Sequence, residues 1–67
     1  MWPRGTLLGL QDTTKPYGRF PGASVFIMLR LDPITSQPVV LTPDGQRALI
    51  PHYYLVPVEP PSPPAGG

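Results

Sequence analysis

The chain has 67 residues, twelve of them Pro, with no Cys, a single His and a formal charge of +1. Lack of Cys excludes disulfides and thiolate metal sites together, and one imidazole is too few for a histidine cluster. The near-neutral charge excludes a strong field for nucleic acid or a membrane surface. The prolines are spread along the whole chain, which excludes a long helix, because Pro removes a backbone donor and fixes φ.

A chain of this size forms one domain and buries only about 60% of its unfolded surface. Small cores of this kind gain stability from disulfides, a metal or a partner. With the first two removed, partner surface is the remaining source, and a charged fraction of only 13% fits a surface that is partly covered. Asn is absent and Arg outnumbers Lys four to one, a bias shared by heat-adapted proteins and GC-rich genomes. Met1-Trp2-Pro3-Arg4 lacks the basic start and long apolar run of a signal peptide. The longest apolar run, residues 25–29, is far short of a membrane span. The expectation is a soluble protein, in the cytoplasm or within an assembled particle.

In chain order, Thr6-Leu7-Leu8-Gly9-Leu10-Gln11 reads as a first strand, with Gly9 marking a bulge or a close backbone approach. Residues 12–22 form a loop punctuated by Pro16, Gly18, Pro21 and Gly22. Long loops in small domains often carry binding, and this one holds Lys15, Tyr17, Arg19 and Phe20 near its tip. Tyr17 and Phe20 either fold back to cap the core or contact a partner.

Residues 23–31 are the best strand of the chain. Ala23, Val25, Ile27, Leu29 and Leu31 share one wholly apolar face by the period of two and are expected to be core. Ser24, Phe26, Met28 and Arg30 share the other. Phe26 and Met28 are too apolar for open solvent, so either the strand is covered on both sides or these two meet a partner; the partner is the reading adopted.

Residues 32–38 connect to a third strand, Val39-Val40-Leu41-Thr42. Thr42-Pro43-Asp44-Gly45 then suits a type I turn closing a hairpin, and residues 46–50 return as a fourth strand. Pro51-His52-Tyr53-Tyr54 interrupts before a last extended piece, Leu55-Val56-Pro57-Val58. Tyr54 is expected to pack with Ile50 and Val56, and Tyr53 to lie half exposed at an interface, where Tyr and His are enriched. The barrel domain is assigned to residues 1–58 and a Pro-rich, extended or disordered tail to 59–67.

The fold class is therefore all-β, a small five-stranded barrel. The segment Gly45-Gln46-Arg47-Ala48-Leu49-Ile50-Pro51-His52-Tyr53-Tyr54-Leu55-Val56-Pro57 resembles the C-terminal signature of Src-homology-three domains: a Gly-Gln start, an Ile-Pro step, a Tyr and an aliphatic residue. The resemblance implies a short 3₁₀ turn between the fourth and fifth strands. It also implies a groove for Pro-rich ligands to which Pro51 and Tyr54 contribute. The family's N-terminal Ala-Leu-Tyr-Asp-Tyr motif has no counterpart, Val39-Val40-Leu41 stands where its third-strand Trp would be, and Lys15 and Arg19 replace its acidic early loop. These departures weaken the expectation of Pro-rich peptide binding more than that of the fold.

Catalysis has little to work with. Asp12, Asp32, Asp44 and Glu59 are scattered through turns and ends, where Asp serves turn chemistry. His52 is the single candidate general base near neutral pH, and no spacing brings Ser24, Ser36 or a carboxylate to it. No cofactor, metal site or phosphate-binding loop is expected. Pro60-Pro61-Ser62-Pro63-Pro64 contains the Pro-x-x-Pro spacing twice, a preorganised ligand for aromatic grooves.

The expectation is a non-enzymatic structural or interaction module. Its concrete form is an accessory subunit of a larger assembly, taken as a virion component (capsid decoration, head–tail junction or tail). The partner is a protein or a second copy, met through Tyr17, Phe20, Phe26, Met28, Pro51, Tyr53, Tyr54 and tail residues Pro60, Pro61, Pro63 and Pro64. One alternative is a peptide-binding adaptor for Pro-rich segments. A second is a weak single-stranded nucleic-acid-binding barrel using Tyr17, Arg19, Phe20, His52 and Tyr53, against which the balanced charge counts.

Overall fold

A computed structural model describes residues 1–59. The prolines of the tail that were singled out, Pro60, Pro61, Pro63 and Pro64, lie outside the described residues. Five antiparallel strands form one open sheet: β1 (Leu7–Leu10), β2 (Val25–Leu31), β3 (Pro38–Leu41), β4 (Arg47–Leu49) and β5 (Leu55–Pro57). Their order across the sheet is β4-β3-β2-β1-β5, so β4 and β5 are its edges and the sheet is not closed. A 3₁₀ turn, His52–Tyr54, leads into β5. No helix among the described residues is long and apolar enough to cross a membrane.

The strands follow the expected segments to within a residue or two, and local chemistry explains where they stop. The Gly45 N–H donates to the Thr42 carbonyl (3.0 Å), and the Thr42 N–H to the Gln46 carbonyl (2.7 Å). Gly45 has φ +80, the left-handed conformation that Gly adopts without a Cβ penalty. Pro43 thus opens a tight turn and Gly45 ends it. Asp32 organises the β2–β3 connection by accepting the N–H of Ile34 and both the N–H and hydroxyl of Thr35. Gly9 lies between β2 and β5, paired with Val25 and Val56. A Cβ there would come within 2.9 Å of a Val58 methyl, so its role is close approach.

The core is built from Leu8, Leu10, Phe20, Phe26, Met28, Val40, Ile50 and Leu55, with Trp2, Tyr17 and Ala48 packed against it. This corrects the sequence reading of β2. Phe26 and Met28, expected to face a partner, are 0% and 2% exposed, whereas Val25 and Leu31, expected in the core, are 45% and 41% exposed. Both faces of β2 are apolar, so periodicity alone divides them without saying which is inside. The register decides it: Leu8 pairs with Phe26 and Val40 with Met28, putting these four on one face, and Phe20 of the long loop closes over it. A shift in register between Met28 and Arg30 then ends the regular alternation, leaving Arg30 opposite Val39.

Tyr54 is corrected in the same way. Its expected core position is taken by Leu55, 1% exposed, while Tyr54 is 44% exposed. The intervening 3₁₀ turn breaks the two-residue alternation on which the expectation rested.

A candidate aromatic groove

Loop 12–22 and the 3₁₀ turn come together beside the end of β1. The loop opens on Asp12, whose carboxylate accepts the N–H of Thr14 (3.0 Å) and its hydroxyl (2.5 Å). These bonds, that from the hydroxyl foremost, hold the Asp12 carboxyl below its ordinary range. At the tip, Tyr17 and Phe20 exchange two backbone hydrogen bonds of 2.9 Å around Gly18, which has φ +56. The loop returns through Gly22, packed so tightly that a Cβ there would lie 2.1 Å from the Thr13 carbonyl oxygen.

This narrow hairpin sends its two aromatics opposite ways. Phe20 turns inward and meets Phe26 edge-on, with ring centroids 5.3 Å apart. It is therefore a core residue and not part of an exposed binding surface. Tyr17 stays half-buried and meets Tyr54 of the 3₁₀ turn, centroids 5.0 Å apart and planes tilted by 51°. Arg19 bends away from the groove, pairing with Asp44 of the β3–β4 turn at 3.2 Å and lying over the Phe20 ring at 4.5 Å.

From Tyr54 the aromatic row continues along the surface. Tyr53 follows at 4.9 Å and His52 at 5.5 Å beyond it. Pro51 starts the turn with an extended backbone and is half-buried. The His52 backbone N–H and its Nδ1 both lie 3.0 Å from Gln37 Oε1. These two contacts tie the outer end of the row to the β2–β3 connection.

The groove beside Tyr17 and Tyr54 has a volume of about 280 Å³ and is lined by Leu10, Gln11, Asp12, Lys15, Pro16, Tyr17 and Tyr54. One carboxylate and one ammonium thus border a mainly apolar floor. Gln11 is held by its Nε2, which donates to the Leu55 carbonyl (3.1 Å). Of the residues expected to meet a partner, Tyr17 and Tyr54 line the groove, Tyr53 continues the row beside Tyr54 and Pro51 opens the turn that carries both, whereas Phe20, Phe26 and Met28 are core. Leu10, Gln11, Asp12 and Pro16 were not singled out from sequence. The clue to them was the loop length, since a hairpin leaving and re-entering beside β1 must border the strand it leaves.

The groove offers a mainly apolar surface bordered by the Tyr17 and Tyr54 rings, suited to contact an extended chain. Among the described residues, no group of three His, Cys, Asp or Glu side chains comes together. Comparison with known proteins finds no matching family model, and no curated protein or solved structure that matches the chain.

Proposed function

We propose that this protein is a non-enzymatic interaction module whose groove between loop 12–22 and the 3₁₀ turn receives an extended, Pro-containing segment of a protein partner. The observation that carries the reading is the aromatic row that runs from half-buried Tyr17 through exposed Tyr54, Tyr53 and His52, spaced at 4.9 to 5.5 Å. Aromatic-lined grooves take polyproline II ligands because those ligands are already extended and lose little entropy on docking. The kinship with Src-homology-three barrels belongs to this proposal. It draws support from a long loop after β1, a tight β3–β4 turn, a 3₁₀ turn starting after Ile50-Pro51, and β5 lying beside β1.

Without a tryptophan in the groove, binding should be weak, with Kd on the order of 100 μM to 1 mM. The accessory-subunit form of the proposal keeps the low charge and the Pro-rich tail as its support. It loses Phe26 and Met28, which fill the protein's own core.

The test is an amide NMR titration with Pro-x-x-Pro peptides of differing flanking charge. Shifts confined to Gln11, Lys15, Tyr17, Tyr53 and Tyr54 are expected. A panel that moves none of them at millimolar concentration overturns the reading.

A further inference from the structure

The two edges of the sheet are not alike. In the β1–β5 pair, the Gln11 N–H donates to the Tyr54 carbonyl and the Val58 N–H to the Leu7 carbonyl. With Gly9 opposite Val56 between them, residues 54, 56 and 58 point their backbone groups at β1. Leu55 and Pro57 point theirs outward. Pro57 has no N–H, the Leu55 N–H is bonded to the His52 carbonyl, and the Leu55 carbonyl accepts from Gln11 Nε2. The β5 edge therefore offers no free donor to another strand.

The β4 edge has none of these protections. The Thr42 N–H bonds to the Gln46 carbonyl and the Ile50 N–H to the Pro38 carbonyl, with Val40 opposite Ala48 between them. By the same alternation, the N–H and C=O of Arg47 and Leu49 point away from β3. Among the described residues no strand pairs with that side. Leu49 is also 45% exposed, and the cross-strand row Arg30–Val39–Leu49 carries the outer face of the sheet up to this edge.

We propose that β4 is a self-pairing edge, along which a second copy of this chain adds its own β4 antiparallel about a twofold axis through Ala48. Residues Arg47 and Leu49 of one copy then face Leu49 and Arg47 of the other, and each facing pair exchanges two backbone hydrogen bonds. The register is self-complementary, as a twofold interface requires. The arginine stem lies along the opposing leucine and keeps its charge in water. A second copy is favoured as occupant because, among the described residues, only one edge is open. Pairing β4 with β4 uses up the one open edge found among the described residues of each copy and stops at two, whereas two open edges would propagate. The site is separate from the aromatic groove, so the two proposals stand or fall independently.

Sedimentation equilibrium of the full chain, combined with amide hydrogen exchange at low and high concentration, tests this. A dimer fraction rising across about 10 μM to 1 mM is expected, with the Arg47 and Leu49 amides becoming protected as it rises. Leu49→Pro removes an edge donor that the monomer fold does not use and should weaken dimerisation at least tenfold. Leu49→Lys, which keeps the N–H but sets a second cation beside the arginine of the other copy, should do the same and decides the matter if the Pro variant does not fold. Tyr54→Ala should leave dimerisation unchanged. A monomer up to 1 mM, or a dimer whose Arg47 and Leu49 amides still exchange freely, overturns the proposal; so does a dimer indifferent to substitution of Leu49.

Discussion

Tyr17 and Tyr54 are 37 positions apart in the chain, yet their rings meet at 5.0 Å, joining the long loop to the 3₁₀ turn. Loop 12–22 and the turn lie on different sides of three strands in sequence, and this contact makes one surface of them. The groove therefore depends on the loop keeping its shape as much as on the rings themselves.

Replacing Tyr54 separates binding from stability. A tilted aromatic pair of this kind contributes about 0.5–1.5 kcal/mol beyond area burial, so Tyr54→Ala should lower the urea midpoint only modestly. Loss of a central aromatic anchor typically costs about 2 kcal/mol or more of binding, roughly a 30-fold rise in Kd. Tyr54→Phe should retain both properties, which peptide titration and urea denaturation read side by side.

The corrected orientation of β2 makes a sharp contrast between adjacent residues. Phe26→Ala should cost about 3–5 kcal/mol and Met28→Ala about 2–5, enough to unfold much of so small a domain. Val25→Ser, on the opposite face, should change stability by less than about 1 kcal/mol. Denaturation midpoints of the three variants would reverse this order if the apolar face containing Val25 were the inner one.

Gly22 should be the least replaceable glycine. An added Cβ would overlap the Thr13 carbonyl, so the loop must shift, at a cost of about 1–3 kcal/mol with loss of peptide binding. At Gly5, where φ is +91 and nothing lies within 4 Å, Ala should cost about 1–2 kcal/mol of backbone strain alone. Gly5→Ala is expected to leave the groove intact, and amide shifts of Tyr17 report on it directly.

Acid should destabilise the protein through three turns. Thr14 lowers the Asp12 carboxyl chiefly through its hydroxyl, Thr35 lowers Asp32 chiefly through its N–H, and the Thr42 hydroxyl, ahead of Arg19, lowers Asp44. Each folded-state value lies below the ordinary 3.8. The ionised forms therefore add stability that is present above that value and lost as pH falls through the folded-state values. Urea midpoints should stay level near neutrality and drop below about pH 4. Thr14→Val and Thr35→Val should each flatten that drop, and an unchanged profile in both would refute the cause assigned.

The turn chemistry was legible in the residues themselves. Pro43-Asp44-Gly45 marks a hairpin turn wherever it falls between two apolar runs, because Pro and Gly carry their φ preferences with them. Gly9 between leucines likewise marked a bulge or a close approach, of which the structure shows the second, and Pro51 marked a break before the last strand. Proline spacing excludes a long helix, and the short apolar runs between turn residues then read as strands.

What the sequence could not decide was which side of an element faces in. On β2 both sets of side chains are apolar, and the choice fell to Leu8, Val40 and Phe20, which reach Phe26 and Met28 from distant parts of the chain. Phe20 and Tyr17 look alike in the loop, yet a two-residue turn at Gly18 and Arg19 sends one into the core and leaves the other beside Tyr54. The contrast between a closed β5 edge and an open β4 edge also belongs to the tertiary structure. Backbone hydrogen bonds point alternately, and only the register with a neighbouring strand determines which of them are left to face outward.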